Sequence, residues 1–138
     1  MSIRITLVKR EKPYEKNVDT DLEWLCSCLG FCRQSQQKTG SDLFKELVRN
    51  TSQGKPPTST QLSGNVGMSR GAVIHQLNRL AEAGLIRKDG RKYYLREGSM
   101  YRTIKEVERD IQRMFEDLEQ MALEIDEELG FKRRERTL

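Results

Sequence analysis

With 138 residues, a net charge of +4, and 33% charged against 36% apolar residues, the chain can build one small core under much solvated surface. No apolar run approaches the ~20 residues of a membrane span, the N-terminus lacks a signal peptide's apolar centre, and three cysteines cannot all pair within one chain. A membrane protein and a secreted disulfide scaffold are thereby excluded, and a cytoplasmic protein with free thiols is expected.

The charge is unevenly spread. Residues 55–96 carry eight Lys or Arg against two acids, Glu82 and Asp89, whereas residues 99–130 carry ten acids against four bases. The middle of the chain suits a polyanion and the C-terminal segment does not.

IRITLV, residues 3–8, alternates Ile3, Ile5 and Leu7 with Arg4 and Thr6 and reads as a short half-buried strand. A charged connection, KREKPYEKN, leads to a helix opening at Thr20, where Glu23 three residues on completes a capping box; Gly30 ends it. After RQSQQKTG, Ser41 is the expected N-cap of DLFKELVRNTSQ, in which Leu43, Phe44, Leu47 and Val48 form one apolar face and Gly54 is the stop. Lys55, Pro56 and Pro57 form a loop.

TSTQLSGNVGMSRGAVIHQLNRLAEAGLIRK, residues 58–88, reads as helix, tight turn, helix and strand. Thr58 and Gln61 make a capping box, Leu62 and Val66 face inward, Gly67 permits the turn, and Ser69 caps the second helix. On that helix, about residues 69–83, Val73, Leu77 and Leu80 form a buried stripe. Gly71, His75 and Asn78 lie roughly opposite, with Arg79 beside them and Arg70 at the start. This open face fits a DNA major groove: Arg70 and Arg79 can reach phosphates or guanine edges, Asn78 can pair with adenine, and Gly71 allows close approach. His75, the only histidine, is read as a groove-facing or exposed side chain rather than a metal ligand. LIRKDGRKYYLRE then forms a hairpin, over residues 85–96, turning at Asp89 and Gly90, with Lys88, Arg91 and Lys92 near its tip. A basic hairpin beside a reading helix is a wing for backbone or minor groove.

The run QLSGNVGMSRGAVIHQLNRLAEAGLIRKDGRKYYLRE resembles the winged-helix transcription regulators of the ArsR-like group, and is similar to archaeal members of it. The resemblance covers roughly residues 41–130. It implies a dimer on an inverted-repeat operator, with reading roles for Arg70, Gly71, His75 and the wing.

SMYRTIKEVERDIQRMFEDLEQMALEIDEELG, residues 99–130, contains no proline or internal glycine and predicts a helix ~45 Å long. Ile104, Val107, Ile111, Met114, Leu118, Met121 and Ile125 follow heptad a and d spacing; Tyr101, Phe115, Ala122 and Leu129 add a third column. So wide a stripe needs partners, and pairing with a second copy is the expected use, setting two reading helices about one DNA turn, ~34 Å, apart. FKRRERTL at the end is a basic tail, read as a solvated terminus.

The cysteines of WLCSCLGFC remain. Leu25, Cys26, Ser27, Cys28 and Leu29 resemble the L-C-x-C pattern of soft-metal sensors in the same group, but there it lies on the first helix of the helix-turn-helix, which here holds no thiol. Cys26, Cys28 and Cys32 are candidate ligands for a soft ion or candidate redox groups, whereas Cys26, on the apolar face with Leu22, Leu25 and Leu29, also reads as a core residue. Core filling is the favoured of the two.

The expected architecture is mainly α with a small β wing: an N-terminal strand and cysteine-bearing helix (1–40), a winged helix-turn-helix (41–98), a long dimerisation helix (99–130) and a basic tail (131–138). The expected function is a homodimeric, sequence-specific regulator of double-stranded DNA, with the basal transcription machinery as a further partner. No cofactor is expected. An interaction or scaffold module that reads no sequence is the alternative, and a thiol-sensing regulator another. Nucleophile, base and orienting acid are nowhere grouped, so an enzyme is not expected.

Overall fold

The computed structural model describes residues 3–31 and 40–131. Its elements are α1 (Val18–Cys28), α2 (Gly40–Ser52), α3 (Ser59–Val66), α4 (Arg70–Glu82), β1 (Ile86–Asp89), β2 (Lys92–Leu95) and α5 (Met100–Leu129). The chain divides into two compact units, Met1–Val107 and Glu108–Leu138. The first holds α1, the winged helix-turn-helix and the start of α5, so the N-terminal helix shares a unit with the helices that follow it. The second is the remainder of α5, and the boundary falls inside that helix rather than ahead of it.

The core of the first unit is aliphatic. Leu43, Phe44 and Leu47 of α2, Leu62 of α3 and Val73, Leu77 and Leu80 of α4 are all buried, because α2 packs against α1, α3, α4 and β2. Their spacing of three and four residues places each set on one helix face. Two ion pairs, Asp19 with Arg49 and Glu23 with Lys45 (3.4 Å), also join α1 to α2.

Helix ends follow local chemistry. Thr58 and Gln61 form the expected capping box, with reciprocal bonds of 2.9 and 3.2 Å. Gly67, at φ 78, supplies the left-handed residue that turns the chain from α3 toward α4. α1 opens earlier than expected: Asn17 is its N-cap, its Oδ1 accepting from the Thr20 N–H at 2.8 Å, so Thr20 lies inside the first turn. Asn caps at least as well as Thr, and Asn17 comes first in the chain. Nor is Ser41 a cap. α2 already includes Gly40, and Ser41 is buried in the first turn beside Cys26.

Two further expectations are corrected. Residues 3–8 form no strand; among the described residues the sheet is the β1–β2 hairpin. With no strand edge beside the segment, its donors go to helix-end carbonyls, Arg4 N–H to Glu82 O (2.9 Å) and Val8 N–H to Cys28 O (2.7 Å). Ile3 and Leu7 stay exposed, so the alternation buries little. In the hairpin, Asp89 pairs with Lys92, which makes Gly90 and Arg91 the two-residue loop and moves the turn one position along. The register is fixed by Ile86 opposite Leu95, both buried at the root, and Gly90 at φ 63 then takes the first loop position.

Candidate nucleic-acid interface

Ser69 Oγ accepts from the Ala72 N–H at 3.2 Å and caps α4, while the buried stripe holds one side of the helix against the core. The other sides are open: Ser69, Arg70, Gly71, His75, Asn78 and Arg79 are all exposed. A Cβ built at Gly71 meets nothing within 4 Å, so no contact inside the chain requires glycine there. At 3.6 residues per turn, Arg70 and Arg79 emerge about 180° apart, with Gly71, His75 and Asn78 between them.

Each flank of α4 borders a cleft. On one side Thr58, Ser59 and Thr60 of the α3 start face Arg70, Lys88 and Arg91 across about 470 Å³. The tip end of β2 is fastened here, since Thr58 bridges to Lys92 and the Tyr93 N–H donates to Pro57 O at 2.8 Å. Lys88, Arg91 and Lys92 are exposed along the hairpin. The Lys88 ammonium lies 5.6 Å from the Tyr93 ring centre and the Arg87 guanidinium 4.5 Å from that of Tyr94, so aromatic faces hold two of the wing's cations against the strands.

On the other side a cleft of about 450 Å³ is lined by Arg4, Thr6, His75, Asn78, Arg79 and Glu82. Arg79 is held in place by a bond from Nη1 to Gln76 Oε1 (3.0 Å) and by the Phe31 ring, 4.9 Å from its guanidinium. The expected reading residues are thus divided between two clefts. Sequence reasoning missed Arg4 and Thr6, which it had assigned to a strand, and the α3 start beside Arg70. The Arg4 signal was its place in a run with Lys9, Arg10 and Lys12.

Cys26 is fully buried beside Ser41, and burial pushes its thiol up to about 12, so the thiolate form needed by a soft metal is disfavoured. Cys28 is half-buried, and Cys32 and the tail after Phe131 lie outside the described residues. Among the described residues no three His, Cys, Asp or Glu gather as a metal site.

Along α5, Val107 is buried and Ile104 and Ile111 are half-buried, whereas Met114, Leu118, Met121 and Ile125 are exposed, as are Tyr101, Phe115, Ala122 and Leu129. Leu118 is 61% exposed. No helix of the described residues is long and apolar enough to cross a membrane.

Residues 38–88 match the family described as bacterial regulatory protein, arsR family. Neither the curated proteins nor the solved structures gave a match. The matched segment spans α2 through the first wing strand, which are the elements that present the open face of α4. Residues 38–88 thus match an ArsR-family helix-turn-helix domain, and that match supports a DNA-binding transcription regulator.

Proposed function

We propose that the chain acts as a homodimer on an approximately palindromic duplex site, α4 reading bases in the major groove and the wing lying on backbone or minor groove. The observation that carries this is the open face of α4, where exposed Gly71, His75 and Asn78 stand between two arginines and no contact inside the chain requires glycine at position 71. Arg70, Gly71, His75 and Asn78 supply base contacts; Lys88, Arg91 and Lys92 supply sequence-independent affinity. The apolar face of α5 from Met114 to Leu129 supports pairing with a second copy, because six large apolar side chains there are exposed in a single chain. Val107, buried in the chain itself, contributes no contact to that seam.

Selection of random duplex DNA on the purified protein tests the reading. An enriched inverted repeat is the expected result. Retention of DNA without enrichment of any sequence would leave a non-specific binder or scaffold and overturn the sequence-reading role.

A further inference from the structure

We propose that residues 3–12 form a second DNA-contacting element, an arm whose Arg4 joins Arg79 to grip backbone phosphate on the flank of α4 away from the wing. This rests on the placement of α4 in the major groove proposed above.

The arm is fastened by its backbone, which leaves its cations to the surface. The Arg4 N–H is bonded to Glu82 O (2.9 Å), the Val8 N–H to Cys28 O (2.7 Å), and Arg10 O accepts from the Trp24 indole at 3.3 Å. Thr6 passes so close to Gly30 that a Cβ there would come within 3.0 Å of it, so a glycine at φ 84 is what lets the arm lie down. Residues 3–12 carry Arg4, Lys9, Arg10 and Lys12 against Glu11 alone, and all five are exposed. This composition suits a polyanion and not a buried strand.

Groove geometry identifies the partner. A major groove is about 12 Å wide and a helix with its side chains ~10–12 Å across, so a seated helix has a sugar–phosphate strand on each side. Arg70, Lys88 and Arg91 stand on one flank of α4. Among the described residues lining the cleft on the other flank, Arg79 would be the one cation without the arm; Arg4 makes two, with the Thr6 hydroxyl as a further donor. Arg79 is already oriented by Gln76 and Phe31, so little side-chain freedom is left to lose on binding. Glu82 is the acid among these lining residues, and its charge opposes the phosphate.

The opposing charges supply the test. Full-length wild type, Arg4→Ala and Glu82→Gln are titrated with the selected duplex and with a scrambled duplex over a series of salt concentrations. Arg4→Ala should weaken both duplexes alike, about 5- to 10-fold at 0.1 M salt, and lower the salt slope by about 0.9. Glu82→Gln should tighten both. Alanine keeps the backbone bond of Arg4, so the unfolding midpoint should not move, and a merely structural defect could not produce the tightening. Wild-type sequence reading with an Arg4→Ala salt slope equal to wild type would overturn the arm alone. A wild type that binds neither duplex would overturn the placement of α4 as well.

Discussion

Asp19 in the first turn of α1 and Arg49 in the last turn of α2 form a hydrogen-bonded ion pair across two helices. The Arg49 guanidinium holds the Asp19 carboxyl below its ordinary value of 3.8. A lowered carboxylate stabilises the folded state fully above that ordinary value and loses the contribution as pH falls through the folded one. Asp19→Asn should therefore lower the unfolding midpoint slightly at pH 7, with the difference closing at strongly acid pH and in high salt, since the pair is exposed. Thermal melts of both proteins across pH check this.

Gly71→Ala separates folding from reading. A Cβ meets open space at Gly71 and likewise at Gly64 of α3. Alanine at either position should stabilise the chain by about 0.5 to 1 kcal/mol through helix propensity. Only Gly71→Ala should weaken the selected duplex if α4 is the helix that enters the groove, as proposed. Equal DNA affinity in the two variants would remove Gly71 from the contact surface.

Arg70→Ala should cost about 1 to 3 kcal/mol on the preferred site and relax one base position in each half-site. Repeating the duplex selection on the variant gives the answer directly. An unchanged consensus would assign Arg70 to the phosphates of its cleft.

The proposed seam on α5 can be tested without touching the core. Leu118 and Ile125 are both exposed, so Leu118→Lys with Ile125→Lys should turn a dimer into a folded monomer by sedimentation, with near-wild-type helix content. A dimer that survives both charges would relocate the interface.

Cys26 should resist alkylation in the folded protein at pH 8 and react only on unfolding. Its thiol rises from 9.0 to about 12 on burial, so the neutral form favours the fold below pH 9.0 and that contribution is lost as pH climbs toward about 12. Cys26→Ala should flatten this alkaline loss while costing about 1 kcal/mol at neutral pH. Mass mapping of labelled thiols distinguishes Cys26 from its neighbours.

Much of the fold was legible because its signals are local. The Thr58 to Gln61 box, the Ser69 cap and the Val73, Leu77, Leu80 stripe each depend on residues a turn or two apart, and each stands where the pattern put it. What failed depended on neighbours remote in sequence. Alternation in residues 3–8 suits a strand only if another strand lies alongside, and the segment instead met the ends of α1 and α4. Ser41 has a capping residue's chemistry, but it lies on the buried side of α2 beside Cys26. The hairpin turn shifted by one because the inward pair at its root, Ile86 with Leu95, sets the register. For the same reason the open face of α4 could be read from periodicity, whereas the addition of Arg4 to its flank could not.

Thr58 has two attachments at once: it caps α3 and bridges to Lys92 in the wing. The tip end of the hairpin and the first helix of the helix-turn-helix are therefore tied together, and the Gly90–Arg91 loop projects immediately beyond the tie. An extra residue inserted between Pro56 and Thr58 would therefore shift the tip of the wing rather than lengthen a loop, and with it the position of Arg91.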